Sequence, residues 1–285
     1  AGQPSPAVLG LAYLNAQFQT GLTNALDDAI QGYAQKAGLK ASAEKKIDEI
    51  PYDFVRKRLS VITANDQGAR TLITKGALDN VLSICDRVQA GDDLFPLDDA
   101  QRAGIDQRYS DWSDKGFRVL GLATKSIGAH TDAYSRADES GLVFAGFLLF
   151  FDPPKADVQQ TILDLAKRGV QLKIITGDNQ KVARHVAEAV RLQIDGVLTG
   201  SALNDLNDEA LWHAAERTTI FAEVDPNQKE RIILALRKTG HVVGYMGDGI
   251  NDAPALHASD VGISVDTAVD VAKDAADFVL LRQDL

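Results

Sequence analysis

The spacing of apolar positions predicts most of the elements of this chain. Residues 7–18 and 22–37 carry apolar side chains at helical intervals and predict two helices; the second opens LTNALDDAIQGYA. Residues 40–49 are polar and predict a connection. Leu59, Val61 and Thr63 then recur at alternate positions, Asn65 to Gly68 signals a turn, and residues 71–74 resume the extended pattern. That combination predicts a β-hairpin. Lys75-Gly76-Ala77 closes its second strand and opens a helix carrying Val81, Leu82 and Cys85. A further helix is predicted over 97–115, stopped by Gly116, and RVLGLATKS (118–126) reads as a strand. The first half is therefore expected to be an antiparallel sheet with helices packed on it.

From about residue 142 the rhythm changes. VFAGFLLFFDPPK is an apolar strand stopped at Asp152-Pro153-Pro154, followed by a helix over 155–168 with Val158, Ile162 and Leu165 on one face. LKIITGDN, TTIFAEVDPNQ and HVVGYMGDG repeat strand then turn, with helices predicted over 180–190 and 228–238; ASDVGISV and ADFVLL add short strands. Strands alternating with helices of this length predict an α/β, doubly wound parallel sheet. The boundary is expected near residue 140, after TDAYSRADES, giving domains 1–140 and 141–285. No internal repeat is evident.

Composition narrows the function classes. A net charge of −10 with no Lys/Arg-rich arm argues against nucleic acid as a partner. One cysteine, Cys85, excludes an internal disulfide and suits a reducing compartment. His130, His185, His213, His241 and His257 are scattered singly and read as structural or surface residues. The longest apolar run, 142–151, is too short for a bilayer, which needs about 20 residues, so no direct membrane insertion is expected. No signal peptide is present, and a start without methionine reads as an excised piece of something longer.

The chemistry collects where apolar strands end. Asp152, Thr176-Gly177-Asp178 and Asp248-Gly249-Ile250-Asn251-Asp252 each follow a strand, and such ends share one edge of a parallel sheet. Lys229, in the first turn of the helix after DPN, is placed to reach the same edge. A hydroxyl, helix N-terminal N–H groups and an ammonium suit a phosphoryl group. Asp248 and Asp252, four apart on a glycine-rich turn, supply hard oxygen ligands for Mg²⁺ beside it.

TGDN, DPPK and MGDGINDAPAL, in this order, resemble the phosphorylation domain of P-type ATPases, a member of the haloacid dehalogenase superfamily. IPYDFVRKRLSV and TKGA resemble the nucleotide-binding domain that such pumps insert into it, so the resemblance covers essentially the whole chain. DEIPYDF, RADES, LLFFDPPK and GISVDTAVDVAKDAADFVLL are most similar to bacterial magnesium-transporting pumps. The resemblance implies a Rossmann-like, haloacid dehalogenase-like sheet preceded by an α+β nucleotide-binding domain. It implies ATP and Mg²⁺ as cofactors, and the transmembrane and actuator domains of a parent chain as partners. It also implies a place on the cytoplasmic face of the plasma membrane and ATP-driven ion transport through an aspartyl-phosphate.

Residue by residue, the resemblance implies that Tyr52 stacks on adenine, in place of the Phe that most relatives carry. Lys75 and Gly76 would line the nucleotide pocket, Gly76 allowing close backbone approach. Lys57 and Arg118 would approach the phosphates, with Asp27 near the adenine amino group. Thr176 and Lys229 would hold the phosphoryl group, Asp248 would bind Mg²⁺, and Asn251 and Asp252 would organise that loop. Asp152 and Asp178 would bracket the phosphates and the hinge between domains.

Two departures stand out. The DKTGT stretch bearing the nucleophilic aspartate is absent, as is the actuator TGE loop, so the fragment is expected to bind nucleotide without forming a phosphoenzyme. FAEVDP carries Glu223 where many pumps have Arg, removing a positive charge near the ATP site. A haloacid dehalogenase-type small-molecule phosphatase and a non-catalytic nucleotide-binding module stand as alternatives.

Overall fold

The computed structural model describes residues 3–21, 24–39, 43–128, 133–155 and 157–281. The start of the second expected helix, part of the expected 40–49 connection and His130 lie outside them. The chain divides into two compact units, Ala1–Trp112 with Phe117–Phe151, and Ser113–Gly116 with Asp152–Leu285.

The first unit opens with helix α1 (Pro6–Phe18), where the Ser5 side chain accepts from Val8 N and Pro6 takes the first turn, whose N–H groups need no intrahelical acceptor. Helix α2 (Ala25–Lys36) follows, capped by Asn24, whose Oδ1 accepts from Leu26 N and Asp27 N. Then come β1 (Lys45–Asp53), β2 (Arg58–Ala64), β3 (Arg70–Ala77), α3 (Leu78–Leu82), β4 (Cys85–Ala90), β5 (Asp93–Pro96), α4 (Asp99–Ser113), β6 (Arg118–Ile127) and β7 (Leu142–Phe150). They form one seven-stranded sheet in the order β1-β2-β3-β6-β7-β4-β5. Alternation along the central strands sends side chains to both faces. Ile73 and Leu122 pack with Ala12, Leu14 and Ile30 of α1 and α2. Their neighbours Leu72 and Ala123 pack instead with Leu78, Val81 and Ile105.

Four expectations are corrected here. The polar stretch read as a connection contains β1, whose burial is only partial and therefore carries little apolar signal. Cys85 begins β4 rather than ending a helix, and the β4–β5 hairpin was missed because β5 is exposed throughout. β4 pairs with β7 in parallel, so the sheet is mixed rather than antiparallel. Most consequentially, β7 pairs antiparallel with β6 and belongs to the first unit, so the division falls at Asp152 and not near 140. Both faces of β7 are covered, by Leu142 and Phe144 on one side and Leu148 and Phe150 on the other. A doubly covered strand reads as a continuous apolar run, which imitates a strand of a parallel sheet.

The second unit runs α5 (Val158–Lys167), β8 (Ile174–Ile175), α6 (Gln180–Ala189), β9 (Val197–Thr199), α7 (Gly200–Asn204), α8 (Asp208–Arg217), β10 (Ile220–Ala222), α9 (Pro226–Lys238), β11 (Gly244–Met246), α10 (Ala253–Ala258), β12 (Val261–Val265), α11 (Asp270–Asp274) and β13 (Phe278–Leu280). Every strand pair is parallel, as expected. Hydrogen bonding nevertheless gives two three-stranded sheets, β8-β10-β9 and β11-β12-β13, rather than one. Phe221 of β10 and Tyr245 of β11 share a buried core with Ile232, Leu236 and Leu256 of the helices. No helix among the described residues is long and apolar enough to cross a membrane.

Candidate functional site

Each unit carries one cluster of the expected residues. In the first, Tyr52 stands near the end of β1, 48% exposed, with its ring edge-on to Phe54 at 5.4 Å. Its hydroxyl titrates above the usual tyrosine range because it is partly desolvated, an effect that the charge of Arg118 opposes and that of Asp53 reinforces. Exposed Arg118 therefore lies within electrostatic reach of Tyr52.

The chain between β1 and β2 turns tightly. Asp53 Oδ1 accepts from Val55 N and Arg56 N, and Asp53 O accepts from Lys57 N. Lys57 has φ of 48°, the left-handed region that costs a side-chain-bearing residue roughly 1–2 kcal/mol. Its carbonyl accepts from Ala77 N at 2.9 Å. A Cβ on Gly76 would sit 2.5 Å from that carbonyl oxygen and from Arg58 Cβ, so glycine is required there by the chain's own backbone.

Lys75 and Asp27 were expected to face a nucleotide. They face each other: Lys75 Nζ donates to Asp27 Oδ1, with the two residues 5% and 2% exposed. Burial lowers the pKa of Lys75 and the charge and hydrogen bond of Asp27 only partly restore it. Burial likewise pushes the Cys85 thiol up to about 12, which leaves it inert as a nucleophile at neutral pH.

Sequence reasoning missed Glu139, whose side chain is fully buried. It accepts from Arg56 Nη1 at 2.6 Å, Arg58 Nε at 3.0 Å and Ser60 Oγ at 2.6 Å. The available signal was an acidic residue in RADES beside the arginine-rich RKR, two stretches far apart in sequence.

In the second unit, Asp252 is the hub. Its Oδ1 accepts from Lys229 Nζ and from the Tyr245 hydroxyl, each at 2.7 Å, and its Oδ2 accepts from Gly249 N at 3.0 Å. One carboxylate thus ties α9, β11 and the GDG loop together. Burial pushes the Asp252 pKa up, but the Lys229 charge and the three hydrogen bonds outweigh it and hold the carboxyl below its ordinary value. Burial, together with the Asp252 charge, raises the pKa of Tyr245. A Cβ on Gly247 would meet Asp252 Cβ at 2.4 Å, so this glycine makes room for the hub. Tyr245 was read only as an apolar strand residue; its hydroxyl was the overlooked signal.

Asp252 was also expected to ligate Mg²⁺ with Asp248. Both its oxygens accept hydrogen bonds from protein donors, Oδ1 from two and Oδ2 from one. Asp248 is exposed, and its carbonyl accepts from Val269 N. No three Asp, Glu, His or Cys residues among the described ones come together to hold a metal.

Thr176 Oγ1 accepts from Asp178 N at 3.1 Å, shaping the TGD turn, and Asn179 caps α6 through Val182 N. Glu223 joins this turn: its N–H donates to Asp178 O, and its carboxylate accepts from Gln180 N at the start of α6. Glu223 is therefore held against a helix N-terminus, where a negative charge is favoured. Asp152 and Gly177 are exposed and Asn251 is half-buried. Among the described residues, no hydrogen bond or ion pair joins Thr176 or Asp152 to Lys229 or Asp252.

A model of the family described as P-type ATPase, cytoplasmic domain N, matches residues 9–157, more than half of the chain. The chain belongs to the P-type ATPases. It is 45% identical over its whole length to Magnesium-transporting ATPase, P-type 1, of Salmonella typhimurium LT2, and 44% identical to the protein of that name in Escherichia coli K12. It is 31% identical over 90% of its length to a Calcium-transporting ATPase of Bacillus subtilis. The chain spans about a third of the length of the first two relatives, 32% of each. The family match ends just beyond the first unit, which corresponds to the cytoplasmic domain N of these relatives.

Proposed function

We propose that this chain is the nucleotide-binding and phosphoryl-holding segment of a magnesium-transporting P-type ATPase. The observation that carries the reading is the exposed Tyr52 ring within electrostatic reach of Arg118, in the unit that the domain N family matches. An aromatic face stacks on a base, and the adjacent cations hold the phosphates.

In this reading the second unit is the haloacid dehalogenase-like phosphorylation domain. Lys229, held by Asp252, meets the transferring phosphoryl group together with the Thr176 hydroxyl. Asp248 would supply a carboxylate oxygen to Mg²⁺, which would neutralise charge on the phosphoryl group. β8 and β11 each end a sheet, and Leu172, Val242 and Met246 beside them are exposed. A further parallel strand bearing the nucleophilic aspartate fits those edges, and the parent supplies it with the actuator and transmembrane parts.

The chain is accordingly expected to retain no acid-stable label after incubation with γ-labelled ATP and Mg²⁺. A longer chain that includes an upstream Asp-Lys-Thr strand is expected to retain it and to lose it on Lys229→Ala. Label retained by the present 285 residues would overturn this division of labour.

A further inference from the structure

We infer that Glu139 is a positioning residue for nucleotide phosphates, acting through Arg56 and Arg58 on the Lys57 between them; the inference rests on the nucleotide-binding reading of the first unit. Arg56 and Arg58 donate to the same atom, Glu139 Oε2. The carboxylate so draws together two side chains that flank one residue, and that residue has left-handed backbone at φ 48°. Hairpin turns ordinarily place glycine or asparagine in that region. A lysine held there against its preference is a strained residue over-determined by its surroundings, and such residues cluster at ligand-binding sites.

The grip extends to Tyr52. Arg56 Nε donates to Asp53 Oδ2 and Arg56 Nη2 to Pro51 O, so one guanidinium fixes both neighbours of the aromatic residue. Arg58 Nη1 donates to Asn80 O, anchoring the other side of the turn to α3. Glu139 Oε1 accepts from Ser60 Oγ, which is 2.7 Å from Thr74 Oγ1, next to Lys75 on β3. These partners of the carboxylate, Arg56, Arg58 and Ser60, lie in the turn or in the strand leaving it. Among the described residues, the hydrogen bonds of Lys57 are backbone ones within this turn and to Ala77, and the residue is partly exposed.

The test titrates the chain calorimetrically with ATP and with adenosine. Tighter binding of ATP than of adenosine, with both weakened by Tyr52→Ala, carries the underlying reading; failure of that pattern removes the reading and this inference with it. Glu139→Gln is expected to weaken ATP about tenfold while leaving adenosine within about twofold, and to add nothing in a Lys57→Gln background. Equal losses for both ligands, or no loss for ATP, with the Tyr52→Ala result intact, overturns the positioning role alone. Arg56→Lys keeps the charge but is too short to hold Glu139, Asp53 and Pro51 at once, so the same ATP-selective loss is expected. An unchanged ATP affinity in Arg56→Lys overturns the inference even where Glu139→Gln does not fold.

Discussion

Asp252→Ala is expected to destabilise the second unit by about 3 kcal/mol, the lower part of the range for removing one partner of a buried ion pair. The Lys229 ammonium and the Tyr245 hydroxyl, both largely shielded from water, lose their shared acceptor, and Gly249 N loses its own. The loss should be local, and the two tryptophans report it. Trp212 packs against the core of the second unit, whereas Trp112 meets the Phe147 ring in the first. With Trp112→Phe as background, the urea midpoint read by Trp212 should fall. With Trp212→Phe as background, the midpoint read by Trp112 should stay where it is. The effect is also pH-dependent with a defined sign. The folded carboxyl has a depressed pKa, so its contribution is complete above the ordinary carboxylate value of about 3.9 and is lost as pH falls through the folded value. Wild type and variant should therefore converge in acid. A gap that stays constant down to pH 2 would contradict the assignment.

Asp27→Ala is expected to cost the first unit roughly 3–5 kcal/mol, because it strands the Lys75 ammonium in a site that already disfavours its charge. The Trp112 signal should move and the Trp212 signal should not. Replacing both partners, Asp27→Leu with Lys75→Met, should recover most of the loss, since two apolar groups of similar volume need no compensation. The pH dependence runs opposite to that of Asp252. With Asp27 gone the folded pKa of Lys75 falls further below its unfolded value of about 10.4, so the folded state binds fewer protons and stability rises with pH. Asp27→Ala should thus gain stability between pH 7 and 10 more steeply than wild type. Equal slopes would show that the pair carries no such coupling.

Where a segment's burial follows its sequence spacing, the fold was legible. The β2–β3 hairpin declares itself through two extended runs either side of the Asn65–Gly68 turn, and α9 through Asp225 and Pro226 followed by an amphipathic run. What was illegible has a physical cause in each case. β5 buries nothing and so has no apolar pattern, while β7 buries both faces and so has no alternation that would assign it to a sheet. The site was legible as a set of residue types and not as a set of pairings. Lys75 and Asp27 were both chosen, each for a nucleotide, yet neutralising one another requires α2 to lie over β3, which no local spacing announces. Lys229 and Asp252 were both singled out and do meet, but the Tyr245 hydroxyl that shares their oxygen hides inside an apolar strand. Glu139 was invisible because its meaning lies in two arginines more than 80 residues away.

The central claim is that the first unit binds ATP through the exposed face carrying Tyr52. The most direct measurement is a calorimetric titration of the chain with ATP, with and without Mg²⁺, repeated on Tyr52→Ala. Saturable binding that Tyr52→Ala abolishes is the predicted result. Absence of binding up to several millimolar, an affinity below roughly 3–4 kcal/mol, or binding unchanged in Tyr52→Ala, would contradict it.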